Sequence, residues 1–110
     1  MRVVIAGDDA TALSDAFSEH GVRVVQLAGP VTARDLADAS IEETDLFVLT
    51  DPSEATAIPL IREAGSDARI VIYADASVPP FATHMADLIL SPHAVDRDIV
   101  VEELLSEGDR

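Results

Sequence analysis

Arg2-Val3-Val4-Ile5-Ala6-Gly7-Asp8-Asp9 is the stretch whose reading decides the fold. Its continuous apolar run predicts a buried parallel strand over Arg2–Ala6. Gly7 supplies a tight turn, and Asp9 is placed to cap a following helix. A dinucleotide site asks for G-x-G-x-x-G at this turn, so that backbone can approach a pyrophosphate and the helix can pack closely. Here the six positions read Gly7-Asp8-Asp9-Ala10-Thr11-Ala12. The first glycine is kept, the second is an aspartate and the third an alanine. Two carboxylates therefore stand where two phosphates would rest, and NAD is not expected.

Working outward, five apolar runs alternate with helix-like segments, the pattern of an α/β domain with a parallel sheet. A helix over about Ala10–His20 follows from Leu13, Ala16, Phe17 and His20 at helical spacing, with Gly21 as its stop. Val22–Leu27 reads as a second strand covered on both faces. Thr32-Ala33-Arg34-Asp35 reads as a capping box opening a short helix to about Ala39. Asp45–Thr50 is the third strand. Asp51-Pro52-Ser53-Glu54 combines an N-cap, a proline at N1 and an acid at N3, and predicts a helix to about Ala64 that Pro59 kinks. Arg69–Ala74 is the fourth strand. A short helix after Pro80 carries Phe81 and Met85. Asp87–Leu90 is the fifth strand, and a last helix over about Asp96–Leu105 presents Ile99, Val100 and Leu104 as its apolar stripe. The expected fold is a three-layer α/β sandwich on a five-stranded parallel Rossmann-like sheet of order 2-1-3-4-5. It forms one domain over 1–105, with a frayed tail over 106–110.

The 110 residues hold 48% apolar side chains, enough for a core, and no cysteine, which excludes disulfides and thiolate chemistry. No apolar run approaches the roughly 20 residues that span a bilayer. No secretory signal is visible, so the expected location is cytoplasmic. Against 21 acidic residues stand 7 basic ones, all arginine, for a net charge of −14. Such a surface repels nucleic acid and anionic membranes, and neither is expected as a partner. The missing lysine and the acidic excess resemble proteins of salt-in halophilic archaea.

Several segments resemble the TrkA-N/RCK domain, the nucleotide-binding regulatory module of potassium uptake systems and channels. Gly29-Pro30-Val31-Thr32, Ala33–Ile41 and Asp45–Asp51 are similar to that family's GDAT segment, short helix and next strand ending in T-D. Glu54-Ala55-Thr56 falls where the family has an acid and then an asparagine. Ala86–Pro92 is similar to its closing G-A-D-x-V-I-x-P. The resemblance implies a non-enzymatic regulatory module, with a transporter or other regulatory partner and a homodimer in high salt. It also implies that one helix–strand unit has been deleted after strand two. Gln26, Leu27 and Ala28 bring no ribose-binding acid and Pro30 replaces the GDAT aspartate, so dinucleotide binding is expected to be lost.

In a sheet of this order ligands bind at the carboxyl edge, where the strand order reverses. Gly7, Asp8, Asp9, Thr11, Thr50 and Asp51 are the candidate ligand residues there. Asp8, Asp9 and Asp51 are candidates for Mg²⁺, because hard cations prefer clustered carboxylate oxygens. The same arrangement is similar to a response-regulator receiver domain, with Asp51 as phosphoacceptor. That second reading departs from the receiver pattern in Ser91-Pro92, where a lysine is wanted, and in Ala74, where Ser or Thr is wanted. The plainer and preferred reading makes Asp9 and Asp51 helix caps, and Asp8 and Asp75 part of the acidic surface. A small enzyme with a pocket at this edge is a third reading. No serine elbow, phosphate loop or histidine pair supports catalysis, and no catalytic residue is assigned.

Molar salt shortens the Debye length to about 3 Å and removes most of the self-repulsion of a −14 surface. The melting temperature should therefore rise steeply from low to molar KCl. A flat profile by circular dichroism would contradict a salt-adapted surface.

Overall fold

The computed structural model describes residues 2–7, 13–27, 30–74 and 78–108. Five parallel strands form one sheet: β1 (Arg2–Ala6), β2 (Arg23–Leu27), β3 (Leu46–Leu49), β4 (Arg69–Tyr73) and β5 (Leu88–Leu90), in the order β2-β1-β3-β4-β5. The helices are α1 (Leu13–Glu19), α2 (Ala33–Asp38), α3 (Ala57–Glu63), α4 (Pro80–Met85) and α5 (Arg97–Gly108). This is the expected three-layer α/β architecture.

The period-2 geometry of the strands sorts their side chains onto two cores. Val4 and Ala6, Phe47 and Leu49, and Ile70 and Ile72 face Leu36, Ile58, Ile61 and Ala82 of α2, α3 and α4. Val3 and Ile5, Leu46 and Val48, and Val71 and Tyr73 face Leu13 and Phe17 of α1 and Val100, Val101 and Leu104 of α5. β1, β3 and β4 are buried on both faces, as their unbroken apolar sequences require. β2 is not. It is an edge strand whose residues are exposed or half-buried, with Val24 on one core and Val25 and Leu27 on the other.

Two helices differ from the sequence expectation. The segment after Asp51 is a 3-10 turn over Pro52–Glu54, and α3 starts anew at Ala57. Pro59 therefore lies in the first turn of α3, where its missing N–H has no helical partner to lose, and no kink is needed. In α5 the buried stripe is Val100, Val101 and Leu104, whereas Ile99 is 53% exposed. That helix also continues through Gly108, past Leu105, the last residue of the expected helix. A 3-10 turn at Ile41–Glu43, entered through Ser40 in the left-handed region (φ 59), has no counterpart in the sequence reading.

The capping box is present in full. Thr32 Oγ1 accepts from the Asp35 N–H at 3.2 Å, and the Asp35 carboxylate accepts from the Thr32 N–H at 3.0 Å. The backbone and hydroxyl bonds of Thr32, helped by Arg34, hold the Asp35 carboxyl below its ordinary value. This contribution is complete above the unfolded value of 3.8 and is lost as pH falls through the lowered one.

Tyr73 closes the far side of the sheet. Its buried phenol donates to the Val95 carbonyl at 2.6 Å, tying β4 to the entry of α5. Burial, and then the charge of Asp96, push this phenol above the ordinary 10.0. The neutral form is the one the fold favours, so its stabilisation is full below pH 10.0 and is lost as pH rises through the folded value. The chain has one tyrosine. Tyrosinate absorbance should therefore show a single midpoint above that of free tyrosine, and Tyr73→Phe should cost about 1 kcal/mol in urea unfolding. A midpoint at the ordinary value would show the bond is not held in solution.

Candidate functional site

The carboxyl edge is built by close approach of the first three strand exits. Gly7 has φ +114, a conformation that favours glycine. A Cβ there would lie 2.7 Å from Asp51 Cβ, Asp51 N and Thr50 Oγ1. The Gly7 N–H donates to the Leu27 carbonyl at 3.0 Å, and the Thr50 N–H to the Ala6 carbonyl at 2.9 Å. Thr50 Oγ1 donates to the same Ala6 carbonyl at 3.2 Å. Backbone bonds thus hold β1 between β2 and β3 up to the point where the chains diverge.

Gly7, Thr50 and Asp51 are accordingly brought together, and they are the candidate residues the structure describes. Asp8, Asp9, Thr11 and Asp75 lie outside the described residues, and with them most of the candidate Mg²⁺ cluster. Among the described residues no three acids or histidines converge as a metal site. Asp51 is the N-cap of the 3-10 turn. Its Oδ1 accepts from the Ser53 N–H at 3.0 Å and from Ser53 Oγ at 2.8 Å. Pro52 at the first position of that turn has the φ the turn needs and no N–H to lose.

Glu54 is the site residue that sequence reasoning does not single out. It is 7% exposed, and its two oxygens accept from the Val31 N–H at 3.2 and 3.3 Å. An acid at the third position after a cap normally reaches back to its own cap. Nothing in the local pattern shows that this one crosses to a loop 23 residues away.

The other two exits differ in chemistry. Ala74 follows β4 and donates its N–H to the Leu90 carbonyl at 3.2 Å. Ser91 follows β5, where its Oγ accepts from the His93 N–H at 3.3 Å and its carbonyl from Ala94 and Val95. His20, His84 and His93 are all exposed.

Strand order and layer arrangement are those of the doubly wound fold of order 2-1-3-4-5, which receiver domains share with flavodoxins. The structure matches an orphan response regulator of H. pylori at TM-score 0.71 and 14% identity, over 96% of this chain and 94% of that one. It matches a CheY-like receiver domain from Methylobacillus flagellatus at TM-score 0.68 and 15% identity, over 96% and 97%. A third match is an atypical orphan response regulator, described as having a phosphorylation-independent regulatory mechanism. There the TM-score is 0.68 and the identity 15%, over 96% and 93%. A family model matches residues 3–104, and the chain belongs to that family, the family of unknown function DUF7126. No curated protein matches it.

These findings overturn the resemblance to the TrkA-N/RCK domain. A helix–strand unit deleted after strand two is not needed to explain the chain. In this fold β2 leads directly through α2 to β3. A potassium-transport partner loses its support along with that resemblance. Among the described residues no helix is long and apolar enough to cross a membrane.

Gly7→Ala tests the closeness of the edge. It should cost about 2 kcal/mol, through the strain of positive φ and the displacement of the Asp51 turn. Urea unfolding with an unchanged midpoint would show that the two exits stand further apart in solution.

Proposed function

We propose that this chain is a receiver-like signalling domain that acts by binding a partner, without passing a phosphoryl group through Asp51. The observation that carries this reading is the bonding of Asp51 Oδ1 to both the N–H and the hydroxyl of Ser53, which employs one carboxylate oxygen in capping its own turn. Two further positions agree with it. Ala74 offers no hydroxyl after β4, and Ser91 offers no ammonium group after β5; the chain has no lysine at all. The orphan regulator described as phosphorylation-independent supplies a precedent within the same fold.

In this reading Gly7, Thr50 and Asp51 mark the edge at which a ligand acts. Mg²⁺ is the cation this acidic edge admits, and NAD has no part. The partner is a protein, a second copy in high salt included, because a surface of −14 disfavours nucleic acid and anionic membranes. The domain would work in the cytoplasm.

Incubation with acetyl phosphate and Mg²⁺ in molar KCl, followed by intact-protein mass spectrometry, tests the proposal, with Asp51→Asn as control. No Asp51 adduct is expected. A stable adduct that Asp51→Asn abolishes would restore Asp51 as phosphoacceptor and overturn the reading.

A further inference from the structure

Glu54 is a buried carboxylate that no part of the reading above uses. Its bonded partner Val31 and its chain neighbours Ala55, Ala57 and Ile58 are all buried members of one apolar cluster. Removing a carboxylate from water is costly unless it is paired or hydrogen-bonded, and apolar replacements of such groups are often neutral or stabilising. Glu54 shares one backbone N–H, that of Val31, between both oxygens. What the bond accomplishes is connection. On one side the Glu54 N–H donates to the Asp51 carbonyl at 2.9 Å, inside the turn that Asp51 and Ser53 cap. On the other, Val31 immediately precedes Thr32, the N-cap of α2.

We infer that Glu54 carries the state of the Asp51 turn to the entry of α2, which makes α2 the element that responds when this edge is occupied. The turn spans only Pro52–Glu54, so a shift of its cap moves the Glu54 backbone with it. The carboxylate then withdraws from Val31, and the loop that leads to the capping box loses its anchor. Receipt of the signal and response are thereby placed on neighbouring loops at one edge of the sheet. The inference rests on the preceding reading only in taking the Asp51 turn as the input. The coupling stands or falls by itself, whether or not a phosphoryl group is ever involved.

A double-mutant cycle read by amide hydrogen exchange decides it. Ser53→Ala removes the hydroxyl bond to Asp51 from an exposed position and loosens the turn without touching the core. Asp51→Ala is the stronger perturbation. Glu54→Leu removes the link while filling the same apolar space, and Glu54→Gln keeps an acceptor. Exchange at Val31 and Leu36 is compared with that at Val48 in β3, which reports global opening. Loosening the turn should speed Val31 and Leu36 by about fivefold or more, both in the native background and in the Glu54→Gln background. With Glu54→Leu the same perturbation should change them by less than about twofold, within ordinary additivity. Equal acceleration with and without the carboxylate, or none in either, would overturn the inference. Either result would leave the phosphorylation test above unaffected.

Discussion

Only a glycine lets the exits of β1 and β3 approach as they do, since a Cβ on residue 7 would lie 2.7 Å from the backbone nitrogen of Asp51. That contact sets the geometry of the whole carboxyl edge. With Gly7 turned at φ +114, Thr50 can bond to Ala6 through both its N–H and its hydroxyl. Asp51 then stands beside the first turn, and its side chain folds forward onto Ser53. The 3-10 turn this creates carries Glu54 inward instead of out to solvent. Val31 is held in consequence, and α2 starts where it does. A single residue without a side chain thus governs the strand exits and loops around it.

What was legible in the sequence was whatever is encoded within a few residues. The capping box at Thr32 and Asp35 closes within four positions, and β1, β3 and β4 announce themselves as strands by unbroken apolar runs. Asp51-Pro52 marks a helical start, although the turn it opens closes after Glu54. The misread features depend on distant parts of the chain. Val22–Leu27 has the composition of a central strand, although the expected order 2-1-3-4-5 itself puts β2 at the edge, where the structure has it. The run Ile99-Val100-Val101 can put either of two stripes inward with Leu104, and the phase is chosen by what α5 meets on the sheet. The burial of Glu54 was invisible for the same reason, because its partner lies in another loop.

The mistaken family resemblance has a related cause. Its motifs were strand ends and helix starts, where a parallel sheet of any lineage places threonine, aspartate, glycine and proline for turning and capping. Such residues report that a strand ends. They do not report how many strands there are. Five strands in the order 2-1-3-4-5 belong to the expected fold and to the observed one alike. What decides against the resemblance is the likeness of the whole chain to receiver domains and its match to another family.

The acidity of the chain throws the buried carboxylate into relief. At −14, acidic residues are plentiful on the surface, where water and salt solvate them at little cost. Glu54 gains little from that solvation, since it is buried beside alanine, valine and isoleucine and is bonded through Val31. Bulk salt screens buried pairs much less than exposed ones, so the salt that relieves the surface leaves this bond nearly unchanged. Two electrostatic regimes therefore coexist in one small domain. The exposed carboxylates set how its stability responds to the medium, and the enclosed one answers to the geometry of the Asp51 turn. A signal that must survive large changes in ionic strength is better carried by the second kind than by surface ion pairs, and the bond between Glu54 and Val31 is of that kind.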